Sequence, residues 1–287
     1  NLPAGIRTIL EQLRQLGCHR VVPFVTLFWK YPERFLPYYL FDLPSKLIGQ
    51  AAQVRSVYEL LSDDASRELF VRQVQFRLTG DYLCLPPPAA RPEYFAPGFY
   101  RLGRDECFVD CGAFDGDTIR AFLERTKNSF RRVIAFECDP ANHCALTSLD
   151  GIEQRLRERI LVHHAAVGAT DGKVRFSATG STNASISSAG EMEVDCVTLD
   201  RVLTGERPTF IKMDIEGAEF DALKGAQTLI RQHKPLLAIC VYHAQDHLWR
   251  IPLFIRNLYS GYRIFMQEYF PDGLELVCFA VPETHWP

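Results

Sequence analysis

Apolar residues recur at helical intervals through the first part of the chain and later give way to short continuous runs. Ile6, Ile9, Leu10, Leu13 and Leu16 share one helical face, and Gly17 stops that helix. Residues 21–28 have the composition of a strand, and residues 31–44 are aromatic, proline-rich and so irregular. Val54, Val57, Leu60 and Leu61, then Leu69, Phe70, Val74 and Phe76, predict a helical stretch over 50–78. Ser62-Asp-Asp-Ala breaks it and supplies an N-cap. A proline-dense connector runs from Leu85-Pro-Pro-Pro to Pro97, where neither a helix interior nor a central strand can form. The predicted boundary separates 1–97, a partial α/β unit followed by helices, from 98–287.

After Gly103 strands and helices alternate. Strands are expected over 107–112, 132–139, 160–167, 173–176, 192–198, 209–215, 235–242, 262–269 and 274–281. Helices are expected over 117–125, from Pro140 onward, and over 219–231 and 246–259. Residues 179–190 form a Gly/Ser/Thr/Asn loop. Strand–helix alternation predicts a doubly wound, mostly parallel sheet. The last two strands are too close for a crossover helix and must form an antiparallel hairpin.

Composition narrows the class. The chain has 287 residues, 32 Lys+Arg against 35 Asp+Glu, and a net charge of -3. No basic excess favours a nucleic-acid partner. No apolar run approaches the ~18 residues of a membrane span, and no leader pattern is visible. Nine cysteines at irregular spacings do not form a disulfide framework and point to a reducing, cytoplasmic setting. C-x-x-C is absent, so no structural zinc is expected.

The most informative stretch is Phe108-Val-Asp-Cys-Gly-Ala-Phe-Asp-Gly-Asp-Thr118, an apolar strand leading into a glycine turn and a helix capped by Asp117 or Thr118. Open α/β sheets bind ligands at such turns. A dinucleotide needs G-x-G-x-x-G, whereas Gly112 and Gly116 are spaced G-x-x-x-G. Asp110, Asp115 and Asp117 would also repel a pyrophosphate. S-adenosylmethionine has no phosphate and carries a sulfonium and an ammonium, so carboxylates suit it. Glu137, 21 residues after Gly116 at the end of the next strand, is placed to accept both ribose hydroxyls. Small Ala165 and Ala166 leave room for adenine, although ordinary core packing explains them equally well. His163 and His164 point to opposite faces, so at most one meets the site.

A second acidic stretch is Phe210-Ile-Lys-Met-Asp-Ile-Glu-Gly-Ala-Glu. Alternation puts Lys212, Asp214 and Glu216 on one face, which predicts an ion network pinning the strand end. With the first turn, Phe136-Glu-Cys-Asp-Pro and Val194-Asp-Cys-Val-Thr-Leu-Asp, this segment closely resembles FkbM-type S-adenosylmethionine-dependent methyltransferases. The resemblance is strong over 105–282 and weaker over 57–95, through Leu60-Leu-Ser-Asp-Asp-Ala-Ser and Glu93-Tyr-Phe. It implies a class I methyltransferase sheet with a C-terminal antiparallel hairpin, behind a mainly helical N-terminal region. It also implies methylation of a hydroxyl on a sugar, glycolipid or polyketide-type acceptor. The cofactor positions are then Asp110, Cys111, Gly112, Ala113, Phe114, Asp115, Gly116, Asp117 and Thr118, with Glu137, Cys138, Ala165, Ala166 and Asp214. Two departures stand out: Cys138 follows Glu137 where many relatives have Pro, and Val241-Tyr-His243 replaces Glu-x-His. Residues 1–48 resemble the tail of a second α/β unit, with a role in the acceptor site or a dimer interface.

A hydroxyl acceptor needs a base or a metal. The candidate bases are His243, Asp214 and Glu216, and the same three could hold a divalent ion; Trp249 could line an acceptor pocket. Two rival readings are a nucleotide-dependent oxidoreductase, lacking its glycine motif, and a non-catalytic module that binds the cofactor. A base-directed amino-group methyltransferase would need Asp/Asn-Pro-Pro-Tyr, where the chain has Asp214-Ile-Glu-Gly.

Overall fold

The helical spacing at the start of the chain becomes α1 (Ile6–Gln15). Residues 21–28 are not a strand: half of them, Val25–Phe28, lie in α2 (Val25–Lys30). Aromatic packing decides this, since Phe28 stacks on Phe35 at 4.8 Å and meets Phe24 at 5.1 Å. The stretch expected to be irregular holds α3 (Pro32–Phe35), and α4 (Pro44–Gly49) begins at its end; each opens on a proline. Then α5 (Ala51–Leu60) and α6 (Asp64–Thr79) separate at Asp63, whose carboxylate accepts the Ser66 amide at 2.8 Å. This computed structural model describes residues 6–89, 93–95, 98–148, 151–177, 185–186 and 192–287.

The alternating part runs β1 (Cys107–Cys111), α7 (Asp117–Arg125), β2 (Arg132–Glu137), α8 (Pro140–Ser148), α9 (Gln154–Arg157), β3 (Ile160–His164), β4 (Ala166–Val167). It continues with β5 (Gly172–Ser177), β6 (Ser185–Ile186), β7 (Met192–Val197), α10 (Leu199–Val202), β8 (Phe210–Met213), α11 (Glu219–Lys224), α12 (Gln227–His233). It closes with β9 (Leu236–Cys240), α13 (His247–Leu258), β10 (Arg263–Glu268) and β11 (Leu276–Val281). A seven-stranded sheet has the order β10-β11-β9-β8-β1-β2-β3, and a four-stranded sheet has the order β4-β7-β5-β6. β1 pairs parallel with both β2 and β8, β2 with β3, and β8 with β9. The two C-terminal strands are antiparallel, as expected.

Two further expectations need correction, and others fall outside the described residues. Residues 160–167 are two strands, because β4 leaves the large sheet to pair with β7. The helix over 219–231 breaks at Gly225, where a Cβ would lie 2.1 Å from the Gly168 carbonyl oxygen. Of the loop 179–190, only β6 is described; 179–184 and 187–190 lie outside the described residues, as does Pro97 at the predicted boundary.

The chain forms two compact units. One comprises Asn1–Arg91, Val241–Leu253 and Ile264–Cys278; the other comprises Pro92–Cys240, Phe254–Arg263 and Phe279–Pro287. In the first, Ser62 and Ile264 exchange bonds: the Ser62 amide donates to the Ile264 carbonyl at 2.8 Å, and the Ile264 amide donates to the Ser62 hydroxyl at 2.9 Å. Beneath them lies a buried polar chain. Arg77 donates to the Gln73 side-chain oxygen, and Gln73 donates to Glu268 at 2.9 Å. The Gly273 amide donates to the other Glu268 oxygen at 3.0 Å. Burial pushes Glu268 up to about 7 and Arg77 down to about 9, each partly offset by the other's charge.

The second unit packs Phe95, Phe108, Phe122 and Phe210 together, with Phe108 4.7 Å from Phe122 and 5.0 Å from Phe210. None of the nine cysteines is in a disulfide. Cys107, Cys111, Cys196, Cys240 and Cys278 are buried, whereas Cys18 and Cys144 are exposed. No helix among the described residues is long and apolar enough to cross a membrane.

Candidate functional site

The order of the strands selects the place. From β1 the chain proceeds to β2 and β3 on one side and later to β8 and β9 on the other. The carboxyl end of β1 is therefore a topological switch point, where open α/β sheets hold ligands.

The turn after β1 is held from both sides. Gly112 has φ +80°, and a Cβ there would lie 1.9 Å from the Asp214 carbonyl oxygen. No other residue fits between the ends of β1 and β8. The Gly112 and Ala113 amides both donate to the Phe136 carbonyl, at 3.0 and 3.1 Å. Phe114, at φ +47°, donates its amide to Glu137 Oε2 at 2.8 Å. The Asp139 amide donates to Glu137 Oε1 at 2.8 Å. Burial pushes the Glu137 carboxyl up, against the pull of these two amides.

The helix cap differs from the expectation. Gly116 is the N-cap of α7, and Asp117 is the first helical residue. The Asp117 carboxylate accepts the Thr118 amide at 2.6 Å, while Asp115 accepts the Asp117 amide at 3.0 Å. Asp115 also meets Arg120 at 3.5 Å.

Lys212 pairs differently as well. Its ammonium lies 3.1 Å from Asp110 Oδ1, on the adjacent strand, and donates to the Gly112 carbonyl at 2.7 Å. Burial works against the charged lysine, but Asp110 and Asp214 outweigh it and hold its titration above the ordinary range. β8 ends at Met213, so Asp214 and Glu216 lie beyond the strand, and Glu216 has φ +52°. The strict alternation of faces therefore stops before it reaches either acid. Asp110, Cys111 and Ala113 are wholly buried.

Tyr94 is a neighbour that spacing did not single out. Its hydroxyl donates to Asp214 Oδ2 at 3.2 Å and lies 3.5 Å from Cys240 Sγ. Its ring centroid is 5.6 Å from the Lys212 ammonium. The only sequence signal was its place in Glu93-Tyr-Phe.

Beyond Glu137, Cys138 is half-buried, and Ala165 and Ala166 are buried where β3 passes into β4. His163 stacks on Phe136 at 4.9 Å, whereas His164 stacks on His143 at 4.6 Å, on opposite faces as alternation requires. Asp214 and Glu216 belong to the same unit as the first turn; His243 belongs to the other. There it lies against Tyr242, at 4.0 Å, and Tyr39, at 6.1 Å. Trp249 is buried in that same unit.

Cations around the turn are already matched, Lys212 by Asp110 and Arg120 by Asp115. Glu137, Asp139, Asp117 and Asp214 add negative charge around it. A pyrophosphate would meet repulsion here. A cationic, phosphate-free ligand is compatible with this charge.

Residues 110–269 match the family described as the Methyltransferase FkbM domain. Among solved structures, methyltransferase FkbM from Methylobacillus flagellatus KT is similar at a TM-score of 0.73 and 28% identity. The match covers 83% of this chain and 60% of that one, so this chain spans somewhat over half the length of its relative. An rRNA methylase from Streptococcus thermophilus is similar at a TM-score of 0.39 and 12% identity, over 63% of this chain and 90% of that one. A precorrin-6y C5,15-methyltransferase from Geobacter metallireducens GS-15 gives 0.37 and 13%, over 64% and 83%. No curated protein matches the chain.

Proposed function

The chain belongs to the FkbM methyltransferase family, and on that premise we propose that it transfers a methyl group from S-adenosylmethionine to a hydroxyl of a sugar, glycolipid or polyketide-type small molecule. The observation that carries this reading is the turn itself: Gly112 lies against the Asp214 backbone while Glu137 anchors the Phe114 amide.

S-adenosylmethionine would supply an electrophilic methyl on a sulfonium. The protein holds the donor and draws a proton from the acceptor. The backbone of 112–118 cradles the donor, and the remaining lone pairs of Glu137 accept the ribose hydroxyls. Cys138, Ala165 and Ala166 border the adenine, and Asp115, Asp117 and Asp214 favour the donor's sulfonium and ammonium charges. His243, Asp214 and Glu216 are the groups proposed to take the acceptor's proton. The catalytic domain is placed at 98–287, and residues 1–97 precede it. The setting is taken to be cytoplasmic, with neither nucleic acid nor a metal required.

Titration calorimetry tests the cofactor. S-adenosylhomocysteine is expected to bind and NAD to give no heat; the reverse pattern would end this reading. Glu137→Ala is a sharper probe. Hydrogen bonds to a carboxylate are worth about 1.5–3 kcal/mol each, so S-adenosylhomocysteine affinity should fall about tenfold or more. The variant also frees the Phe114 and Asp139 amides, so its melting temperature should drop. Unchanged affinity would remove Glu137 from the site.

A further inference from the structure

We propose that a cavity beside α1 binds the aliphatic chain of an uncharged, hydroxyl-bearing amphiphile of the alkyl glycoside kind. Its lining lies wholly within the first of the two units, so the site does not depend on the methyl-transfer reading.

Apolar side chains from three segments line it. Leu10 and Leu13 come from one face of α1, Val21, Val22 and Phe24 from the segment leading into α2, and Leu83 from the short 3-10 turn Tyr82–Cys84. Gly80 places that turn. It ends α6 with φ +68°, and a Cβ there would lie 2.4 Å from Val25 Cγ1, so the chain turns tightly against the start of α2. Gly273 packs so closely on Phe76 that a Cβ would lie 2.5 Å from its ring, which brings the adjacent Asp272 to the same cavity.

The cavity measures about 680 Å³, inside the range of about 300–1,000 Å³ usual for small-molecule pockets. Its apolar wall stays open to water: Val22 is 71% exposed, Phe24 47%, Ile9 41% and Leu83 40%. Exposed apolar side chains scattered singly are ordinary, but several gathered around one cavity mark a binding surface.

The polar lining selects the head group. Arg14 and His19 stand against Asp81 and Asp272, so no strong charge of one sign favours a phosphate or an ammonium. Both aspartates already accept turn amides, Asp81 that of Leu83 at 2.9 Å and Asp272 that of Leu274 at 3.0 Å. Burial pushes the Tyr82 phenol up to about 12, so it stays a neutral donor. Donors and acceptors together beside an apolar wall suit hydroxyls on an alkyl chain.

The test is calorimetric titration of the full chain with octyl, nonyl and decyl maltoside, each below its micelle-forming concentration. Affinity should rise about fourfold for each added methylene, the increment expected when it leaves water, and maltose alone should give no heat. Decyl sulfate and decyltrimethylammonium should both bind more weakly than decyl maltoside. Cys18 lines the cavity and is exposed, so bound decyl maltoside should slow its labelling by a thiol reagent and leave exposed Cys144, in the other unit, unchanged. Val22→Asp alters an exposed side chain, so it should keep the melting temperature and weaken decyl maltoside about tenfold or more, the worth of one buried valine. Affinity independent of chain length, unslowed labelling of Cys18 or unchanged affinity in Val22→Asp would each overturn the proposal. Decyl sulfate binding as tightly as decyl maltoside would overturn the uncharged head and mark an anion site. A maltoside that lowers the melting temperature would be acting as a denaturant, which also overturns it. A chain that sediments as a dimer, and as a monomer after Val22→Asp, would give the cavity to a second copy instead.

Discussion

Lys212→Met should destabilise the protein by about 3–5 kcal/mol at neutral pH, the scale seen when one partner of a buried ion pair is removed. Asp110 is wholly buried on β1, and Lys212 is nearly so on β8. Methionine fills similar space but leaves the carboxylate without its ammonium and the Gly112 carbonyl without its donor. Lowering the pH should repair part of the loss. Burial already pushes Asp110 up to about 6 against the pull of Lys212, and without the lysine it must rise further. Between its ordinary value and that raised one, the folded state binds more protons than the unfolded state. Stability therefore falls as pH rises through this window and returns as pH is lowered toward 5. Urea unfolding of Lys212→Met between pH 5 and 8 checks the slope. Asp110→Asn/Lys212→Met should recover much of the loss, because no charge then stays buried. A single variant with a flat pH profile would show that Asp110 does not depend on Lys212.

His243→Ala should lower turnover by about 10²–10⁴ while S-adenosylhomocysteine affinity stays within twofold, the usual signature of a lost general base. Imidazole is the side chain whose ordinary titration range brackets neutral pH, which suits removal of a hydroxyl proton during attack. His243 directly follows the last residues of a buried strand run and lies against the rings of Tyr242 and Tyr39. The assay is release of S-adenosylhomocysteine over a panel of sugar, glycolipid and polyketide hydroxyls. A structural role predicts a different pattern: a lower melting temperature, with kcat of the folded fraction nearly unchanged. That pattern would move the base to Asp214 or Glu216.

What could be read from the chain alone was local. The glycine turn, Glu137 at the end of β2 and the acids after β8 lie within single short segments, so spacing alone identified them. The partners of Lys212 could not be found this way. Asp110 lies on the adjacent strand and Gly112 in the turn that follows it, about 100 residues earlier. Strand alternation suggested Asp214 and Glu216 instead, because it assumes a strand that in fact stops at Met213. Tyr94 was hidden for the same reason: its contacts with Asp214 and Cys240 are 120 and 146 residues away along the chain. Residues 21–28 misled in another way. Their β-branched and aromatic composition suits a strand, yet Phe24 and Phe28 find Phe35, Tyr38 and Phe41 only when wound as a helix.

The buried cysteines give this chain its own record of local opening. A thiol reacts with a disulfide reagent only as an exposed thiolate, and burial raises Cys107 to about 11 and Cys278 to about 12. In the native state, Cys18 and Cys144 should label within the mixing time of a mass-spectrometric pulse. Cys107 and Cys111 on β1, Cys240 on β9 and Cys278 on β11 should label only as fast as their strands separate. Cys196, on β7 of the four-stranded sheet, reports on a different element. Its labelling rate relative to Cys111 would reveal whether the small sheet opens before the large one. Slower labelling of Cys111 and Cys240 when the donor binds would measure how firmly the ligand clamps the strands on either side of Lys212.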